Sequence, residues 1–84
     1  MQVKMYSVYS GNLNKIGWYS RENEKGQTEG VLRAEFRNEV QYDYWPVSNE
    51  KFKEIFSEES KGSWFDREIK KNSEIKYEKV KEIE

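Results

Sequence analysis

Hydrophobic and polar positions alternate most cleanly in "GVLRAEFRN", where Leu32, Ala34 and Phe36 share one face and Val31, Arg33, Glu35 and Arg37 the other. A period of two predicts a half-buried strand. After the polar pair Asn38-Glu39 the alternation resumes. Val40, Tyr42 and Tyr44 share one parity and Gln41, Asp43 and Trp45 the other, which predicts a hairpin back to the preceding strand. Pro46 is the only proline and lacks a backbone donor, so it ends the pairing. Upstream, Val3, Met5, Val8, Leu13, Ile16 and Trp18 punctuate the first twenty residues around a turn at Gly11-Asn12, and "KIGWYS" reads as a strand. "RENEKGQTEG", residues 21–30, is charged, holds two glycines and has almost nothing to bury, so an exposed, mobile loop is expected there.

The period changes after Pro46. Phe52, Ile55 and Phe56 follow i, i+3, i+4 spacing, Ser48 is a good N-cap, and Val47 stands where it can staple against Phe52. A helix from about Asn49 to Glu59 is expected, with its apolar stripe laid on the sheet. "SKGS" interrupts it. A second short helix in "SWFDREIKK" is expected with Ser63 as cap and Phe65 and Ile69 on one face. In "SEIKYEKVKEIE", Ile75 and Tyr77 alternate as in a strand, while Tyr77, Val80 and Ile83 fit a helix; the pattern supports both. The fold expected is α+β: a small antiparallel β-meander of about three strands, with one or two short helices packed on one face. It forms a single domain over residues 1–84, with its core at about 13–79 and a frayed end at 81–84.

Composition sharpens this picture. Charged residues, at 37%, outnumber the hydrophobic set, at 35%, which alone argues for weak folding, but aromatics reach 15% and each buried ring removes much area from water. An aromatic-rich core under a charged surface is expected. The net charge of −1 gives no global field for polyanions, so nucleic-acid binding needs a local patch. Cysteine and histidine are both absent. That removes disulfides, thiolate nucleophiles, imidazole chemistry and Cys/His zinc sites, so neither a metal nor a cofactor is expected. No apolar run is long enough for a membrane span and "MQVKMYSVYS" lacks the apolar core of a secretory signal, so the expected location is cytoplasmic.

The segments "NKIGWYS", "VQYDYW", "PVSNEKFKEIF" and "SKGSWFDREIKKNSEIKYEKV", in that order, resemble the KTSC domain family. That family is named for a C-terminal extension of some lysyl-tRNA synthetases and also occurs as free-standing small bacterial and phage proteins. Its Tyr-x-Tyr strand is matched by Tyr42 and Tyr44, and its Val-Pro-like helix start by Pro46 and Val47 in reversed order. Its Ser-x-Gly turn and aromatic-Phe-Asn step are matched by Ser60, Gly62, Trp64 and Phe65, with Asp66 in place of Asn. The family's Ile-Gly-Tyr-Asp strand has Trp18 in place of the tyrosine and Tyr19 in place of the acid. Asn38 and Glu39 occupy a turn where the family has glycine. The match spans about Leu13 to Lys79. It implies RNA binding, tRNA included, by way of the synthetase context.

Two sets of residues carry the candidate chemistry. Tyr42 and Tyr44 either stack unpaired bases on an open sheet or form the core face under the helix. Lys61, Arg67, Lys70 and Lys71, with Lys76 and Lys79 beyond them, gather around the Gly62 turn. Beside Trp64 they make a candidate phosphate-contacting patch, and Trp45 is the expected outward aromatic. Asp66, Glu68, Glu74 and Glu78 lie among these cations, so a solvated face of ordinary charge pairs accounts for them equally. Asp43 and Asp66 form the only carboxylate pair worth naming. Nothing in the sequence brings them together, Asp43 reads as an outward polar strand residue, and a non-catalytic module is expected. The alternative to RNA binding is a protein-protein module, such as a phage or mobile-element effector docking on a host protein through exposed aromatics.

Overall fold

The computed structural model describes residues 2–81 of the 84-residue chain. Among these, five strands form one antiparallel sheet in strict chain order: β1 (Met5–Ser10), β2 (Leu13–Glu22), β3 (Thr28–Phe36), β4 (Gln41–Trp45) and β5 (Lys76–Lys79). Between β4 and β5 the chain leaves the sheet. It forms α1 (Asn49–Lys53), continued by a 3₁₀ turn over Glu54–Ser57, and α2 (Lys61–Phe65), continued by a wider π-helical turn over Asp66–Lys70. The α+β class and the meander are as the pattern predicts, with five strands rather than three.

The registers explain which residues are buried. Ile16, Ala34 and Tyr42 stand opposite one another across β2, β3 and β4, as do Trp18, Leu32 and Tyr44. Directly opposed residues point to the same side of a pleated sheet. This side therefore carries the main core, which Val47, Phe52, Ile55, Trp64, Phe65 and Ile69 complete from the helical layer. Gly30 lets that layer close down. A Cβ there would lie 2.1 Å from the Val47 carbonyl oxygen and 2.8 Å from the Trp18 ring. In its absence Val47 N–H donates to Gly30 O at 2.9 Å, and Trp18 Nε1–H donates to Val47 O at 2.7 Å.

Several expectations are corrected. Half of residues 21–30 is strand, because β2 runs to Glu22 and β3 begins at Thr28, leaving 23–27 as the turn. That turn is held by the Asn23 side chain, which accepts from the backbone N–H groups of Lys25 and Gln27. The first helix is shorter than Asn49 to Glu59, and its stripe is incomplete: Phe52 and Ile55 are buried, whereas Phe56 is 46% exposed. Ser60, not Ser63, caps the second helix, its side chain accepting from Ser63 N–H. Of the two readings of the C-terminal segment the strand is realised over Lys76–Lys79. The fraying expected at 81–84 falls, beyond Lys81, outside the described residues.

Candidate functional site

The sheet's end that carries the β1–β2 and β3–β4 turns forms, with the C-terminal part of the α2 segment, an open groove of about 720 Å³. Its aromatic surface comes from three neighbouring strands. Phe36 ends β3, Tyr42 and Tyr44 alternate along β4, and Tyr77 stands directly opposite Tyr44 on β5. Phe65 locks this surface to the helical layer, meeting Tyr44 edge-on at 5.2 Å and Phe36 at 5.8 Å between centroids. The Tyr77 ring lies 6.2 Å from Tyr42 and 6.0 Å from Tyr44, and is 67% exposed. Tyr44 is in the core, while Tyr42 is half-buried at the groove. The core reading of the Tyr-x-Tyr strand is met by Tyr44, while Tyr42 lines the groove.

Charge at the groove has one sign. Arg37 and Lys70 line it and no carboxylate does among its described lining residues. Asn12 and Asn38 contribute amides. Arg37 is already partly committed, since its Nε donates to Gly11 O at 2.9 Å and its guanidinium lies 5.9 Å from the Tyr9 ring centroid. Burial, with smaller effects of Tyr42 and Tyr77, pushes the Tyr44 phenol up to about 12, so it is neutral at physiological pH. Such a surface accepts a flat π-system and favours negative charge at its rim. Among the described residues no group of three or more carboxylates, histidines or cysteines is placed to hold a metal ion.

The expected phosphate patch does not assemble. Trp64 is 1% exposed in the core, with its Nε1–H donating to Glu54, and cannot stack on a ligand there. Arg67 pairs with Glu58 and Glu68, and Lys71 pairs with Asp66. Lys61 donates to Glu58 O. Lys70 alone of this cluster reaches the groove. Trp45 lies on the opposite face of the sheet from the helices, half-buried, with the Arg21 guanidinium 4.6 Å from its ring centroid. Asp43 shares that face, outward from the helices as its alternation implies, yet it is 8% exposed, binds Arg33 through both carboxylate oxygens at 2.8 and 3.0 Å, and accepts from Tyr19 Oη at 2.6 Å.

Phe36, Arg37, Asn12, Asn38 and Tyr77 were not among the candidates drawn from the sequence. Tyr77 had a usable signal, since its strand alternation with Ile75 would place a third phenol beside Tyr42 and Tyr44 once β5 is paired to β4. The other four depend on how two turns and a helix end converge, which no local pattern states.

No helix is long and apolar enough to cross a membrane. No curated protein and no solved structure matches the chain. The family model for the KTSC domain matches residues 9–77, a span that includes Tyr42, Tyr44, Lys70 and Tyr77.

Proposed function

Because the chain belongs to the KTSC domain family, we propose that it is a small non-catalytic module that binds RNA, tRNA among the candidates, through unpaired bases. The observation that carries this reading is the groove to which Tyr42 and Tyr77 contribute aromatic rings and Arg37 and Lys70 positive charge. Stacking on such faces supplies roughly 1–3 kcal/mol per base, and cations supply affinity for phosphate. A cytoplasmic location, where RNA is abundant, belongs to the same reading.

Fluorescence anisotropy with single-stranded and hairpin RNA at several salt concentrations tests it. Dissociation constants on the order of micromolar at low salt are expected, with log K falling against log salt by about 0.7 per phosphate engaged on a single strand. Absence of salt-sensitive binding to every RNA would falsify the proposal. One observation favours a protein-docking role instead, as in an effector acting on a host protein: Tyr6 and Phe56 meet edge-on at 5.4 Å and are both partly exposed beside β1. Partner capture that survives nuclease treatment of a lysate would point to that second role, and capture lost with nuclease to RNA.

A further inference from the structure

The RNA-binding reading is the basis for a narrower one. We infer that the groove accepts an unpaired nucleotide, with its base on the exposed Tyr77 ring beside the tilted ring of Tyr42 and its phosphate at Lys70. Size is the first argument. About 720 Å³ lies in the roughly 300–1,000 Å³ range of small-molecule sites, which is room for one nucleotide. A duplex keeps its base faces stacked inside and has none to lay on phenol rings, so the ligand must be unpaired.

The sign of the rim charge is the second argument. Aromatic clusters of this kind also attract quaternary ammonium groups through their π-faces. Here Arg37 and Lys70 oppose a cation, and no carboxylate among the described lining residues offsets them. A ligand that is both flat and anionic satisfies the walls and the rim together, and a nucleotide has that chemistry.

Division of labour between the two cations is the third. Arg37 already serves Gly11 O and lies near the Tyr9 ring. Lys70 is exposed and forms no ion pair among the described residues, in contrast to its neighbours Arg67 and Lys71. Asn38 Oδ1 accepts from Val40 N–H at 3.1 Å, which leaves the Asn38 amide N–H groups to donate to a base edge.

The test is an amide NMR titration of the ¹⁵N-labelled protein with adenosine 5′-monophosphate, with adenosine, and with a single-stranded oligoadenylate. Both phosphorylated ligands are expected to shift Asn38, Tyr42 and Tyr77. Tyr77→Ala should weaken the monophosphate about tenfold, matching loss of one stacking partner. Lys70→Gln should erase the advantage of the monophosphate over adenosine and lower the salt slope for the oligonucleotide by about one. Both side chains are exposed, so both variants are expected to fold. An oligonucleotide that binds while the monophosphate leaves the groove unshifted overturns the inference and leaves RNA binding standing. A monophosphate that fills the groove without any oligonucleotide binding sinks the RNA reading and keeps the nucleotide assignment. If neither ligand shifts these residues, both ideas fail. Equal affinity for adenosine and its monophosphate removes the role given to Lys70.

Discussion

Asp43 shows how much a single residue can conceal from a one-dimensional reading. Flanked by Tyr42 and Tyr44 it has the alternation of an outward polar position, and it does point away from the helices. Its burial depends on Arg33, which stands directly across from it on β3, and on Tyr19 one strand further. The bond to Asp43 pushes the Arg33 guanidinium still further above its usual range, and burial followed by the Asp43 bond raises the Tyr19 phenol. Removing one partner of a buried pair leaves the other charge desolvated and alone. Asp43→Ala should therefore cost about 2–4 kcal/mol in urea denaturation, somewhat below the full burial range because both side chains keep some water contact. The double variant Arg33→Met with Asp43→Leu should recover at least half of that loss. A single-variant cost under about 0.5 kcal/mol would place the pair among ordinary surface salt bridges.

Among the elements, legibility followed burial. β2, β3 and β4 each lay an alternating side on the core and were visible as strands. β1 and β5 are edge strands, and all four residues of β5 are exposed. What holds β5 is backbone pairing to β4, with Tyr77 opposite Tyr44, and the short Ile75–Tyr77 alternation fits a helix as well as a strand. The second helix was seen, but its cap was misplaced because Ser60 and Ser63 are both plausible caps by composition, and only the chain's path selects between them. The β3–β4 turn offers an element-level test. Glu39 adopts φ 67°, a left-handed conformation, at one of the two turn positions where the family has glycine. For a residue with a side chain this costs about 1–2 kcal/mol. Glu39→Gly should stabilise the protein by up to about 1 kcal/mol, the rest being offset by glycine's freedom in the unfolded chain. A rise of a few degrees in Tm by circular dichroism is the expected readout, and a fall would show that the Glu39 side chain contributes more than its backbone strain costs.

At the scale of the whole molecule, a phenol buried in the core at Tyr44 makes stability sensitive to its ionisation. Tyr44 is raised to about 12 in the folded protein against about 10 when unfolded. Its neutral form is favoured by folding, so this contribution is complete below about pH 10 and is lost as pH rises toward about 12. Urea midpoints should accordingly drop between about pH 10 and about pH 12. Tyr44→Phe should flatten part of that drop, leaving the share due to Tyr19, whose phenol is also raised. An unchanged pH profile in the variant would assign the drop to other groups. Net charge, by contrast, said little about the groove, because −1 averages over the whole chain while the groove's described lining carries Arg37 and Lys70 and no carboxylate.

The uninterrupted succession of strands also bears on how the protein is best handled. β1 and β5 are four inter-strand spacings apart, about 19 Å. A biosensor tether or fluorescent tag introduced ahead of β1 sits across the sheet's width from Tyr77, whereas one joined after β5 crowds it. Attachment through the first strand is therefore the geometry that leaves the ring-lined cleft unobstructed.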